Sequence, residues 1–389
     1  MLGFPTLNVE KFITESLNEA AINNTSPLIH QYARSEGHPR LVQSLSKFFS
    51  PKLSRTIDPL SEIVVTVGAT EAIYSTVQAF VSPGDKVLLM QPYYDSYPAS
   101  ILLAGGVPVL TSLKPKNLSA TSAEDWELDF SELRKILETN KIKMLFLNNP
   151  HNPIGKVFKK SELLKIAAFA KEFDFLVVAD EVYETLVYSD NSEPFVKFAS
   201  LPDMFERTIT IGSVGKMFGV TGWKIGWCIS SPEIIKSIQL VHQFVPFSVT
   251  TPIQEAVAIC LEKTEKNNFF SSNLNKYENL RDKLFNNLKE VGLSPMLPQG
   301  GYFILANTSS VTGFESGDKR GRDYDVCKYL TEKCGVTAIP PAAFYDEKFT
   351  GDSERKKTAG YLARFAFCKS RDMLDEANIR LKNYFNKKL

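Results

Sequence analysis

Short apolar runs recur along the chain, and between them apolar side chains return every three or four positions. The runs read as strands at residues 62–67, 86–90, 107–112, 143–149, 175–180, 208–213 and 223–230. Several are apolar almost throughout, such as Val-Leu-Leu-Met at 87–90 and Phe-Leu-Val-Val-Ala at 175–179. That is the pattern of strands covered on both faces. Helical periodicity falls at 70–81, 131–139, 161–174 and 232–244. Ser161 precedes an apolar face of Leu163, Leu164, Ile166, Ala167 and Phe169, which predicts a capped helix there. Pro83-Gly84-Asp85 supplies turn chemistry between a helix and a strand.

Strand–helix alternation of this kind predicts an α/β fold, with a parallel sheet between helices. Beyond about residue 262 the texture changes. A long polar-faced helix is expected at 267–291, then strands or helices at 301–307, 323–333, 336–340, 361–368 and 371–386. This predicts a smaller α+β domain. The expected boundaries are 16–262 for the large domain, and 1–15 with 263–389 for the small one.

In an open parallel sheet, ligands bind beyond the carboxyl ends of the strands. Four polar clusters fall there: Gly68-Ala69-Thr70, the run from Asn148 to Gly155, Asp180-Glu181-Val182-Tyr183, and Ser213-Val214-Gly215-Lys216. Each has a plain structural explanation by itself. Thr70 could cap a helix, the Asn/Pro/Gly run could be a loop, Asp180 could be an ion-pair partner, and Lys216 could be solvated. Gly215-Lys216 is not a nucleotide phosphate loop, because Thr210 and Met217 stand where that motif needs Gly and Ser or Thr. No G-x-G-x-x-G follows a strand, which leaves a dinucleotide site without support.

Composition narrows the partners. The 45 basic and 44 acidic residues give a net charge of +1, so no field draws in nucleic acid or an anionic membrane. Hydrophobic residues make up 43%, yet no run is long enough to span a bilayer. The five cysteines are scattered and never in C-x-x-C spacing, which suggests reduced thiols in a cytosol-like compartment. With four histidines, no metal centre is expected. The first thirty residues hold Lys11 against Glu10, Glu15 and Glu19, unlike a targeting segment. A cytoplasmic location is expected, or a mitochondrial one if the natural start lies upstream.

Together the rim residues can meet the needs of pyridoxal 5′-phosphate. That cofactor needs a lysine for its Schiff base and a carboxylate for its ring nitrogen. It also needs a donor for its ring oxygen, an aromatic face, and a helix start with a cation for its phosphate. The chain resembles fold-type I pyridoxal-phosphate enzymes, the class I/II aminotransferases, and within them the kynurenine aminotransferases that double as cysteine-S-conjugate β-lyases. The resemblance spans nearly the whole chain. It is carried by Val65–Ala69, the Asn149–Val157 run, Asp180–Tyr183, Gly212–Trp227 and Leu362–Phe365 in that order.

By this resemblance Lys216 is the Schiff-base lysine, Asp180 the partner of the ring nitrogen, and Tyr183 and Asn152 the partners of the ring oxygen. Ser213, Lys224 and the amides of Ala69 and Thr70 would hold the phosphate, and Tyr94 would stack on the ring. Arg364 would clamp the substrate carboxylate with help from Asn152, and Gly3 would line the substrate site. Tyr32 and Phe247 would reach the site of a neighbouring subunit, which implies a homodimer with shared active sites. Lys224 stands where the wider class more often has Arg, and Lys gives a point charge without the fork. Ser248 stands where kynurenine-type enzymes can have His. The family usually carries a longer segment before Gly3-Phe4-Pro5.

The implied reaction is ping-pong transfer of an amino group from an amino acid to a 2-oxo acid. Phe4, Tyr94, Tyr97 and Phe247 are the expected pocket lining, without a second arginine. That favours bulky neutral or aromatic donors such as kynurenine, phenylalanine, methionine or glutamine over aspartate. The alternatives are a β-lyase as main activity and a catalytically silent module that kept the fold.

Overall fold

The computed structural model describes residues 3–117, 119–315, 317–346 and 358–385. The predicted strands form as β1 (Ile63–Thr66), β2 (Lys86–Gln91), β3 (Val107–Pro115), β5 (Ile142–Asn148), β6 (Leu176–Asp180), β7 (Thr208–Ser213) and β8 (Gly226–Ile229). A further short strand, β4 (Trp126–Leu128), extends the sheet to eight strands in the order β1-β8-β7-β6-β5-β2-β3-β4. The expected seven strands are thus all present, and β4 is the addition. It pairs antiparallel to the end of β3 and is too short to announce itself in the sequence.

Strands β3, β2, β5, β6 and β7 run parallel. β8 runs antiparallel to both β7 and β1, so β1 points the same way as the parallel set. The carboxyl ends of β1, β5, β6 and β7 therefore meet along one rim. Register is tight there: Asn148 lies opposite Asp180, and Gly226 lies opposite both Ser213 and Thr66. Val64, Val87, Leu89 and Val178 pack on one side, and Leu88, Leu145, Leu147 and Val177 on the other. Period-2 alternation buried on both faces explains the unbroken apolar runs.

The first half carries helices α1 (Lys11–Ala21), α2 (Pro39–Phe49), α3 (Gly68–Phe80), α4 (Ser96–Leu103), α5 (Phe130–Thr139) and α6 (Lys160–Glu172). Then come α7 (Val214–Met217), α8 (Pro232–Phe244), α9 (Thr251–Asn267) and α10 (Phe269–Glu290). α1 lies along α9, which is buried on most of its circumference.

The C-terminal part holds a three-stranded antiparallel sheet, β9 (Ser294–Pro295), β10 (Phe303–Asn307) and β11 (Leu362–Ala366), in the order β11-β10-β9. Helices α11 (Arg322–Tyr329) and α12 (Arg371–Phe385) complete it. The expected strand at 336–340 is reduced to a single bridge, in which Ile339 exchanges hydrogen bonds with Arg364. Pro340 and Pro341 follow and offer no backbone donor, so the pairing cannot extend. Residue 386, the expected end of the last helix, lies outside the described residues.

Candidate active site

The rim opens into a cavity of about 470 Å³. Gly3, Ala69, Thr70, Tyr94, Asn152, Asp180, Tyr183, Ser213, Lys216, Lys224 and Arg364 all line it. Those residues come from seven separate stretches of the chain.

Asp180 ends β6 and is buried. The hydroxyl of Tyr97 donates to its Oδ2 at 2.5 Å, and the Val182 amide approaches Oδ1 at 3.4 Å. Burial raises the Asp180 carboxyl above its ordinary value, while the Tyr97 hydrogen bond pulls the other way. The Asp180 carbonyl accepts from the Asn149 amide and from Asn148 Nδ2, each at 3.0 Å. Asn148 Oδ1 in turn accepts from the Asn152 amide at 2.7 Å. The loop after β5 is thereby stitched to the end of β6, which sets the position of Asn152.

Lys216 sits on the short helix α7 after β7. Its Nζ donates to the hydroxyl of Tyr302 at 2.6 Å. Burial lowers the amine to about 8, with Cys368 and Asp180 opposing the shift. A lysine in that range holds a sizeable neutral fraction near physiological pH. Tyr183 stands beside it, its ring edge-on to Tyr302 at 5.1 Å. Burial raises the Tyr183 phenol, so it stays a neutral donor.

The anion end of the cavity is formed by close backbone approach. α3 begins at Gly68, which has φ +76°, and the amides of Ala69 and Thr70 open the 13-residue helix. A Cβ at Gly226 would fall 2.5 Å from Gly68 C and 2.7 Å from Ala69 N, so β8 presses bare backbone against that helix start. Lys224 adopts a left-handed conformation, and a Cβ at Gly68 would meet its Nζ at 3.2 Å. Ser213 completes this corner.

Arg364, in the middle of β11, donates through Nη1 to Asn152 Oδ1 at 3.0 Å. Its guanidinium lies 4.0 Å from the Phe303 ring centre and 4.6 Å from that of Phe344. Aromatic faces on a planar cation hold its fork in place. Among the described residues lining the cavity, Arg364 is the single arginine.

One expected lining residue falls elsewhere. Tyr97 does not line the pocket: it is buried behind Asp180 and stacked on Phe146 at 4.6 Å. Phe247 and Tyr32, which the resemblance assigns to a neighbouring subunit's site, do not line the cavity of their own chain. They contact each other edge-on at 5.2 Å on an exposed surface, where Tyr32 is 83% and Phe247 49% exposed. Phe247 holds φ +70°, an outlier for a bulky residue. Phe4, Tyr94, Ile73 and Phe303 supply the apolar wall instead.

Tyr302 was not singled out from the sequence, although the preceding Gly300-Gly301 pair carried a signal. Paired glycines mark close backbone approach, and a Cβ at Gly300 would lie 2.7 Å from Pro150 Cβ. Among the described residues, no His/Cys/Asp/Glu cluster could hold a metal, and no helix is long and apolar enough to cross a membrane. The five cysteines form no disulfide among the described residues and are buried.

Known proteins resemble this chain over nearly its whole length. The family model for aminotransferase class I and II matches residues 3–351. The kynurenine–oxoglutarate transaminase of Dictyostelium discoideum is 40% identical, covering 97% of this chain and 88% of that protein. The structure of Bna3p from Saccharomyces cerevisiae superposes with a TM-score of 0.91 at 33% identity, covering 98% of this chain and 90% of that one. N-succinyldiaminopimelate aminotransferase from Mycobacterium tuberculosis gives a TM-score of 0.87 at 33% identity, covering 98% and 92%.

Proposed function

Since the chain belongs to the class I and II aminotransferase family, we propose that this cavity binds pyridoxal 5′-phosphate and transfers the amino group of a bulky neutral or aromatic, kynurenine-like L-amino acid to a 2-oxo acid. The observation that carries the reading is the meeting, in one cavity, of a half-buried lysine, a buried carboxylate and, among the described lining residues, a single arginine. When bound, the cofactor supplies an aldehyde that amines condense with and a ring that accepts electrons from Cα.

The residues suit that group. The Gly68–Gly226 approach leaves room for a phosphate at the start of α3, with Ser213 and Lys224 beside it. Asp180 would pair with the ring nitrogen, Tyr183 and Asn152 would hold the ring oxygen, and Tyr94 would cover one face. The Tyr97 hydroxyl favours the ionised form of Asp180 against its burial. Arg364 fixes the substrate carboxylate in bidentate fashion. Lys216 Nζ takes the proton from the substrate Cα, and its lowered pKa suits a general base.

Phe4, Tyr94, Ile73 and Phe303 favour an apolar side chain, and no second arginine lines the described cavity for a dicarboxylate. The likeness to named transaminases favours neither a main β-lyase activity nor a silent module. The exposed Tyr32–Phe247 pair suits a homodimer in which each subunit completes the other's site. Buried thiols that form no disulfide among the described residues suit a reducing compartment.

The test is a panel of amino acids mixed with the cofactor-loaded protein, following the visible band of the bound cofactor. Kynurenine, phenylalanine, methionine or glutamine should bleach it fastest. A strong preference for aspartate would overturn the substrate reading, and a band that no amino acid bleaches would overturn the activity.

A further inference from the structure

We propose that Tyr302 is a positioning residue that docks the amine of Lys216 whenever that amine is not bonded to the cofactor, acting as a pure acceptor because Gly3 takes its proton. This rests on Lys216 being the reacting amine, as set out above.

The Tyr302 ring is fully buried. It is wedged edge-on to Tyr183 at 5.1 Å and to Phe303 at 4.7 Å, and stacked on Tyr277 at 6.4 Å. Its hydroxyl therefore has a fixed position. That oxygen lies 2.6 Å from Lys216 Nζ and 2.7 Å from the carbonyl oxygen of Gly3. The Tyr183 hydroxyl also hydrogen-bonds this oxygen and can donate, whereas the Gly3 carbonyl cannot, so the hydroxyl proton points at Gly3 and the oxygen lone pairs face the amine and Tyr183. An acceptor at that distance favours the ammonium over the neutral amine. Tyr302 thus counters the burial that lowers Lys216, and gives a displaced amine one defined resting place within reach of the cavity.

The same hydroxyl ties the amine to the strap at residues 3–6. The Thr6 amide donates to the Cys368 carbonyl at 3.0 Å, and Lys369 Nζ donates to the Phe4 carbonyl at 2.8 Å. Both anchors follow directly on β11, the strand that carries Arg364. One phenol therefore links the reacting amine, the strap over the cavity and the strand of the carboxylate clamp.

The experiment uses Tyr302→Phe, which keeps the ring and removes the acceptor. In cofactor-free protein, the pH dependence of Lys216 acetylation is read by peptide mapping, because only the neutral amine reacts. Loss of a hydrogen bond to a charged group should move the midpoint down by about one to two pH units. A second variant with 4-aminophenylalanine at position 302 still donates to Gly3 but accepts poorly, and should shift the midpoint the same way. It carries the test should Tyr302→Phe fail to fold, as judged by thermal melting. A folded variant whose midpoint stays put or rises overturns the proposal. Borohydride reduction of cofactor-loaded wild type separates the two levels: if Lys216 is left unmodified, the functional reading beneath is the one that fails.

Discussion

Replacing Tyr97 with Phe probes the electrostatic frame of the site in one step. The Tyr97 ring is buried and stacked on Phe146, and Phe preserves both features. What disappears is the 2.5 Å donor to Asp180 Oδ2, leaving the Val182 amide at 3.4 Å from Oδ1. A hydrogen bond to a charged group contributes about 1.5–3 kcal/mol. At 1.36 kcal/mol per unit, that is a rise of about one to two pKa units for Asp180. Burial already places this carboxyl above its ordinary value, so the substitution moves it further the same way.

A carboxyl raised on folding favours the folded state while protonated. Its contribution is full below the unfolded-state pKa and is lost as pH rises through the folded-state pKa. The variant's folded-state pKa lies higher, so it loses more. Wild type and variant should differ least in acid, diverge as pH rises through the wild-type folded-state pKa of Asp180, and differ by the full amount once the variant's carboxyl is ionised as well. Urea unfolding of the cofactor-free proteins, from below the unfolded-state pKa of about 3.9 up to about pH 8, measures this directly. A destabilisation of equal size across that range would refute the assignment of Tyr97 as the donor that holds Asp180 ionised.

Arg364→Lys removes the fork that meets Asn152 and the aromatic faces of Phe303 and Phe344; KM for the amino donor should rise about 10–100-fold, with kcat less affected, in steady-state assays. Gly226→Ala would force a methyl to within 2.5 Å of Gly68 C, so cofactor affinity should fall and stability drop by about 1–3 kcal/mol, measured by fluorescence titration and urea unfolding. Lys216→Ala should keep its fold yet lose the visible band and about 10²–10⁴-fold or more in amino transfer, followed by absorbance. Mixing Lys216→Ala chains with Tyr32→Ala chains should restore activity through hybrid dimers, whereas two inactive parents that stay inactive on mixing would speak against shared sites.

Much of the large sheet was legible because its strands are buried on both faces. Runs such as Leu176–Asp180 then carry their own signature, and the residue that ends each run falls on the rim. That is why the sequence alone gathers Asp180, Ser213, Lys216 and Asn152 on one rim. Helix α9 was missed for the opposite reason. It is buried nearly all round, Gln254 and Glu255 included, so no single apolar stripe marks it. β4 escaped because three residues hold no period.

The contacts that tune the site were not legible at all. Tyr97 reaches Asp180 across 83 positions, Lys216 meets Tyr302 across 86, and Tyr302 meets Gly3 across 299. Local pattern records which face of an element avoids water, because each side chain's burial repeats with the backbone's own geometry. Which hydroxyl then faces which charge depends on how distant elements pack, and that information exists only once the chain has folded around them.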